Sequence, residues 1–198
     1  KFRDINIFIS GEITSESKIQ YQRNILERVK KLVPYLELDS DPYVVINNGK
    51  LKWIQDAYTV STNYPYSEPS NNGYNYWRNS VKAVIDAYDG TVEFYISDNS
   101  DPLIDTYSKI FPNVFKSISD MPSDLKDHIR YPIDLFKVQS EKYLEYHMQD
   151  SQIFYNNEDL WNIPREKFGQ SGELQNVEPY YIVMNLPGND DSEFVLIR

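Results

Sequence analysis

Outward from Asp89-Gly90, read as a two-residue turn, apolar and polar positions alternate on both sides. Pairing Ala87 with Val92, Ile85 with Phe94 and Ala83 with Ile96 gives one face that belongs to a core. The other face sets Tyr88 beside Thr91, Val84 beside Tyr95 and Asp86 directly across from Glu93, two like charges in an unfavourable position. The pattern predicts a hairpin over 80–97. A second is predicted over 43–60, with Asn48-Gly49 as a type I′ turn and Val44/Trp53 and Ile46/Leu51 as cross-strand pairs. A third covers 180–197, turning near Pro187-Gly188. The strings LKWIQDAY at 51–58 and VKAVIDAY at 81–88 match as aliphatic, Lys, x, aliphatic, x, Asp, Ala, Tyr. They read as equivalent strands of one antiparallel sheet, with internal duplication as the alternative. Asp4 to Ile9 alternates too and reads as a first strand ending at Ser10-Gly11.

Helical spacing appears elsewhere. Ile19, Ile25, Leu26, Val29, Leu32 and Val33 follow a Ser17/Gln20 capping box and predict a helix over 17–33, stopped by Pro34, with Arg23, Glu27, Arg28, Lys30 and Lys31 on a solvated side. Asp101-Pro102 starts a helix over 102–110. A short helix follows over 122–129, and Pro132 opens a longer one over 132–147. Residues 152–168 read as irregular and 170–176 as a flexible excursion. Strands first, then helices, then a strand pair predict an α+β fold, a mainly antiparallel sheet with helices on one side. The chain is one domain, 1–198, or a fragment of a larger region, with 1–100 and 101–198 as a possible subdivision.

Composition narrows the function classes. A chain of 198 residues that is 40% hydrophobic has enough for a core, and a net charge of −10 argues against nucleic-acid binding. Without cysteine there are no disulfides, thiolate zinc sites or cysteine nucleophiles. No apolar run approaches the roughly 18 residues that span a bilayer. Lys1 is not an initiator Met and Phe194 to Arg198 ends in strand character, so the chain reads as a piece of a longer protein.

Candidate chemistry is sparse. His128 and His147 lack the i, i+4 spacing of a helical zinc pair, and His147, near a helix end, is expected to hydrogen bond a backbone carbonyl. No Gly-x-Ser-x-Gly elbow supports a serine hydrolase. The acidic groups are Asp39 and Asp41 before Pro42, Asp98, Asn99 and Asp101 before Pro102, and Asp86 facing Glu93. Turns and N-caps explain them, with calcium or a paired acid/base as the functional alternative; none fits a twelve-residue calcium loop. Metal ligation stays undecided, and no catalytic or cofactor-binding residue is assigned. Trp77-Arg78 and Trp161 read as core packing with a snorkelling guanidinium, against a cation–π or ligand-clamp role. The turn-rich loop 63–73 carries Tyr64 and Tyr66, with Tyr74 just beyond it. It is either a packed loop or a stacking platform for sugar or peptide.

LERVKKLVPYLELDSDPYVVINNGKLKWIQDAYTVSTNYPYS at 26–67, YNYWRNSVKAVIDAYDGTVEFYISDNSDPLI at 74–104, YPIDLFKVQSEKYLEYHMQDSQIFYNNEDLWNIPRE at 131–166 and EPYYIVMNLPG at 178–188 closely resemble uncharacterised protein family 0182. Its members are large bacterial multi-pass membrane proteins with a transmembrane amino-terminal third and a big soluble remainder of unassigned activity. The resemblance covers roughly 20–198; the excursion at 170–176 matches no recognised pattern. It implies an excerpt of the soluble region, extracytoplasmic at the cell membrane, and it offers no catalytic residues to transfer. The transmembrane part of its own chain is the implied partner, with envelope proteins or polysaccharide as further ones and no nucleic acid. The expected function is a non-enzymatic interaction, sensing or supporting domain. The alternatives are an envelope enzyme or transport component using carboxylates, or a carbohydrate-binding module through 63–77 with Tyr64, Tyr66 or Tyr74 exposed and coplanar.

Overall fold

The matching strings lie side by side. In the computed structural model, which describes residues 5–19, 21–170, 172–188 and 191–198, they occupy strands β3 (Lys50–Ser61) and β4 (Tyr76–Asp86), paired antiparallel about Ile54↔Val84. A Lys-x-x-x-Asp string repeated on antiparallel neighbours puts each lysine opposite the other strand's aspartate. Lys52 accordingly pairs with Asp86 at 2.5 Å and Lys82 with Asp56. The recurrence is thus electrostatically self-complementary across the centre of the sheet.

β1 (Glu37–Leu38) and β2 (Tyr43–Asn47) lie end to end along the outer edge of β3, while β5 (Val92–Ile96) flanks β4 and β6 (Phe115–Ser117) adds a parallel pair beyond it. The Asn48-Gly49 turn has both central residues at positive φ, as a type I′ turn demands, and Val44↔Trp53 and Ile46↔Leu51 pair as expected. The Asp89-Gly90 turn differs. Ala83 faces Phe94, Ile85 faces Val92 and Val84 faces Glu93, a register two residues away from the expected one. The connection is a four-residue loop because the Asp86 carboxylate accepts the amides of Tyr88 at 2.8 Å and Asp89 at 3.1 Å. An even shift keeps each residue on its expected face but separates Asp86 from Glu93. Asp86 meets Lys52 instead, and Glu93 meets Lys116 and the Tyr95 hydroxyl.

Helices cover both faces of the sheet rather than one. On the first, α2 (Ile25–Leu32) and α3 (Pro102–Ile110) bring Val29 and Ile104 against Ala57, Val81, Ala83, Ile85 and Phe94. On the second, a 3₁₀ turn (Ile118–Asp120) leads to α4 (Ser123–Lys126), and Met121 and Leu125 pack on Tyr43, Val45, Ile54, Val84 and Tyr95. Each fully buried aliphatic side chain contributes about 1.5–3 kcal/mol relative to exposure. α5 (Ile133–Tyr146) continues over that second side, meeting β4. Ile54 to Thr59 and Ser80 to Ile85 are buried without a break, as strands covered on both faces require.

Boundaries move at the ends. α2 starts at Ile25, not near 17, because Asn24 caps it by accepting the amides of Leu26 at 2.9 Å and Glu27 at 3.3 Å. Ser17 accepts the Thr14 amide in a separate turn, and Gln20 of the expected capping box lies outside the described residues. Two of the charged side chains assigned to solvent are engaged: Arg28 donates to the Gly90 carbonyl at 2.7 Å, and Lys30 to that of Leu36 at 2.8 Å. In place of a first strand, Asn6–Ile9 forms one helical turn, α1, and among the described residues it enters none of the sheets; Asp4 lies outside the described residues.

Later, Asp150 caps a short helix α6 (Ser151–Asn156) inside the stretch expected to be irregular. Arg165–Phe168 (β7) pairs with Glu173–Asn176 (β8), so the excursion at 170–176 returns as a strand; residue 171 lies outside the described residues. β9 (Tyr180–Asn185) and β10 (Ser192–Ile197) form the third expected hairpin. The fold is α+β with mostly antiparallel pairing.

Candidate functional site

Three buried carboxylates organise the sheet, and each is occupied by it. Asp101 caps α3 through the Leu103 amide at 2.9 Å while accepting the hydroxyls of Ser80 at 2.5 Å, Tyr76 at 2.7 Å and Thr59. Burial alone would raise its pKa, but these four donors outweigh it and hold the carboxyl below its ordinary value. Tyr76, donating to that carboxylate, is pushed up to about 12, first by its own desolvation and then by the anion. On the other face, Asp56 holds Lys82 and accepts Asn79 at 3.0 Å, yet burial still leaves its pKa raised. A register irregularity between Ala57 and Thr59 lets the consecutive residues Asn79 and Ser80 serve Asp56 and Asp101 separately. Asp39, also raised by burial, takes the Tyr58 hydroxyl and the amides of Asp41 at 2.9 Å and Asp134 at 3.0 Å.

Beside this layer the chain opens. The loop after β3 is held from within by Asn75, which accepts the Tyr64 amide at 2.9 Å and donates to the carbonyls of Tyr64 at 2.8 Å and Ser67 at 3.2 Å. A cleft of ≈ 380 Å³ lies between this loop and α5, with Tyr66, Tyr74, Trp77 and Tyr146 among its walls. A polar hollow of ≈ 590 Å³, also walled by α5, includes Asn71, Glu141, Asn162, Arg165 and Asn176.

The expected aromatic triple is only partly realised. Tyr66 is fully exposed; Tyr64 is half-exposed and stacks on Tyr76 at 5.4 Å; Tyr74 is half-buried and donates to Glu37 at 3.2 Å. Trp77 is flanked edge-on by the rings of Tyr58 and Tyr74. Arg78 forms an ion pair with Asp98 at 3.3 Å, and Asp98 also accepts the Ser100 amide in the turn where Asn99 sits. His147 contacts the Tyr143 carbonyl at 3.1 Å, as expected, and stacks on Trp161 at 3.7 Å; His128 lies apart, exposed after α4. Among the described residues no three His, Cys, Asp or Glu side chains group to hold a metal.

Two features escaped sequence reasoning. Arg130 has the rings of Tyr43 at 4.6 Å, Phe194 at 5.3 Å and Tyr181 at 5.4 Å around its guanidinium, which pins the C-terminal hairpin to the body. No local signal marks it, since its partners lie on β2 and the last hairpin. The Lys82–Asp56 pair was legible in principle, from the Lys and Asp shared by the matching strings.

Fold and cleft together define the class: an α+β domain whose sheet is buried on both faces and whose loop end opens into an aromatic-walled cleft. A family model described as "Uncharacterised protein family (UPF0182)" matches residues 1–198, and the chain belongs to that family. It is 53% identical over 194 residues to a UPF0182 protein of Pelotomaculum thermopropionicum, covering 98% of this chain and 21% of the relative. A UPF0182 protein of Bradyrhizobium diazoefficiens is 51% identical over 197 residues, with 99% and 21% covered. The chain therefore spans about a fifth of the length of these relatives. No solved structure matches it.

Proposed function

We propose that this is a non-enzymatic, extracytoplasmic supporting domain of a multi-pass membrane protein, docked through its C-terminal hairpin on the remainder of its own polypeptide. The observation that carries the reading is the hairpin itself. β9 and β10 pair only with each other among the described residues, and they expose Val183 at 63% and Phe194 at 53%, with Tyr180, Ile182 and Met184 also exposed. An isolated two-stranded hairpin is marginal in water, and apolar side chains gathered on one call for a cover. Since the relatives are about five times as long (21% covered), the remaining chain is the occupant at hand. The buried carboxylates weigh against the acid/base alternative, because Asp39, Asp56 and Asp101 are committed to scaffold donors. The carbohydrate reading of the 63–77 loop draws support from Tyr66 and the cleft beside it.

Location is supported by the resemblance and tested directly. Tyr88, 95% exposed in the β4–β5 loop, suits a Tyr88→Cys substitution, as this chain has no native cysteine. In the full-length protein, otherwise free of cysteine, a membrane-impermeant maleimide should label Tyr88→Cys on intact cells. Labelling only after permeabilisation would place the domain inside.

A further inference from the structure

Glu141 and Arg165 line one hollow, yet no ion pair joins them. The hollow, ≈ 590 Å³, lies between α5, the 63–73 loop and the start of β7, and its volume falls in the range of small-molecule sites. Its walls are tied together. The Trp161 amide donates to the Leu144 carbonyl at 3.2 Å and the Trp161 ring stacks on His147 at 3.7 Å, which holds the segment before β7 on α5. Asn71 donates to Glu141 Oε2 at 2.8 Å, and the Val177 amide donates to the Pro164 carbonyl at 3.0 Å, closing the ribbon where Arg165 pairs with Asn176. Two cations of α5 are already engaged, Lys137 by Glu178 and Lys142 by Glu68, both at 2.7 Å. Arg165 differs: among the described residues its guanidinium enters no ion pair and no hydrogen bond.

Opposite charges that share a cavity without neutralising each other are complementary to a ligand that carries both charges itself. A guanidinium takes a carboxylate through two parallel hydrogen bonds, and a carboxylate with a free oxygen takes an ammonium. Glu141 keeps Oε1 for this, since Asn71 occupies Oε2. The remaining lining fits the rest of such a molecule. Asn162 and Asn176 bring side-chain amides, which both donate and accept as a peptide group requires, and Leu144 and Ile163 supply apolar wall. We infer that this hollow binds a zwitterionic amino acid or short peptide with an apolar side chain, its carboxylate on Arg165 and its ammonium on Glu141. The inference goes beyond a supporting role and is independent of the docking reading, because no residue of the last hairpin lines the hollow.

The test titrates the full-length protein, in mild detergent, with leucine and leucyl-leucine by calorimetry, beside N-acetyl-leucyl-leucine and leucyl-leucinamide, each of which lacks one charge. Leucine or leucyl-leucine should bind with a Kd of about 1 mM or tighter, and the tighter of the two sets the length of the ligand. Each blocked dipeptide should bind about tenfold more weakly than the free one, the scale of a lost hydrogen bond to a charged group. The variants locate the contacts. Arg165→Gln should no longer distinguish leucyl-leucine from its amide, and Glu141→Gln should no longer distinguish it from the acetylated form, both with the melting midpoint unchanged. Failure of leucine and leucyl-leucine to bind at about ten times that Kd, or full discrimination retained in both variants, overturns the proposal.

Discussion

Asp101→Ala is expected to lower stability by about 4 kcal/mol, read as a fall in the urea midpoint with an unchanged m-value. The substitution removes the N-cap of α3, worth about 1 kcal/mol, and leaves the buried hydroxyls of Thr59 and Ser80 without their acceptor, at about 1–3 kcal/mol each. The dependence on pH follows from the direction of the shift. The folded state holds the Asp101 carboxyl below its ordinary value of 3.8, so its contribution is complete above that pH and disappears as pH falls through the depressed folded value. The gap between wild type and Asp101→Ala should therefore narrow on acidification below pH 3.8. A gap of equal size at neutral and strongly acid pH would show that the carboxylate charge is not what holds the network.

The second large effect separates the two ion pairs built by the matching strings. Lys82→Met should cost about 3–5 kcal/mol, because it leaves the Asp56 carboxylate buried with only Asn79. Lys52→Met should cost under about 1 kcal/mol, since Asp86 is more accessible and keeps the amides of Tyr88 and Asp89. Adding Asp56→Leu to Lys82→Met should restore most of the loss, as replacing a whole buried pair by apolar groups is often neutral. Denaturation of the three variants tests this; equal losses for Lys52→Met and Lys82→Met would mean that burial does not distinguish the pairs.

Much of the sheet was legible because its signals are local. Asn48-Gly49 fixes its own turn type, so β2 and β3 follow from sequence with their register, and the strings at 51–58 and 81–88 mark β3 and β4 as equivalent strands of one sheet, whose pairing and register come from the fold. Asp89-Gly90 misled because its outcome is decided three residues earlier, where the Asp86 side chain captures loop amides and lengthens the turn. The sidedness of the helices was missed because Gln55, Asp56 and Thr59 are polar positions that nothing in the sequence marks as buried. All three are buried, Thr59 and Asp56 in the carboxylate networks and Gln55 donating to the Asp39 and Asp56 carbonyls. A polar run inside a strand buried on both faces cannot be told from an alternating one until its partners are known. The tyrosines of the cleft drew attention in the sequence, whereas Glu141, Asn162 and Asn176 of the separate polar hollow come from elements distant in sequence, and only the fold brings them together.

The same division explains the docking surface. Arg130 touches one face of the last hairpin at Tyr181 and Phe194 but leaves Val183, paired with Phe194 on that face, 63% exposed, while Ile182 and Met184 stand exposed on the other face. If the rest of the polypeptide covers this hairpin, burial should appear there and not at the remote β4–β5 loop. The direct measurement compares maleimide labelling rates of Val183→Cys and Tyr88→Cys in the full-length protein, otherwise free of cysteine, after solubilisation in mild detergent. Docking predicts slow labelling at Val183→Cys beside fast labelling at Tyr88→Cys, with the difference abolished on denaturation. Equally fast labelling at both positions in the native protein would contradict it.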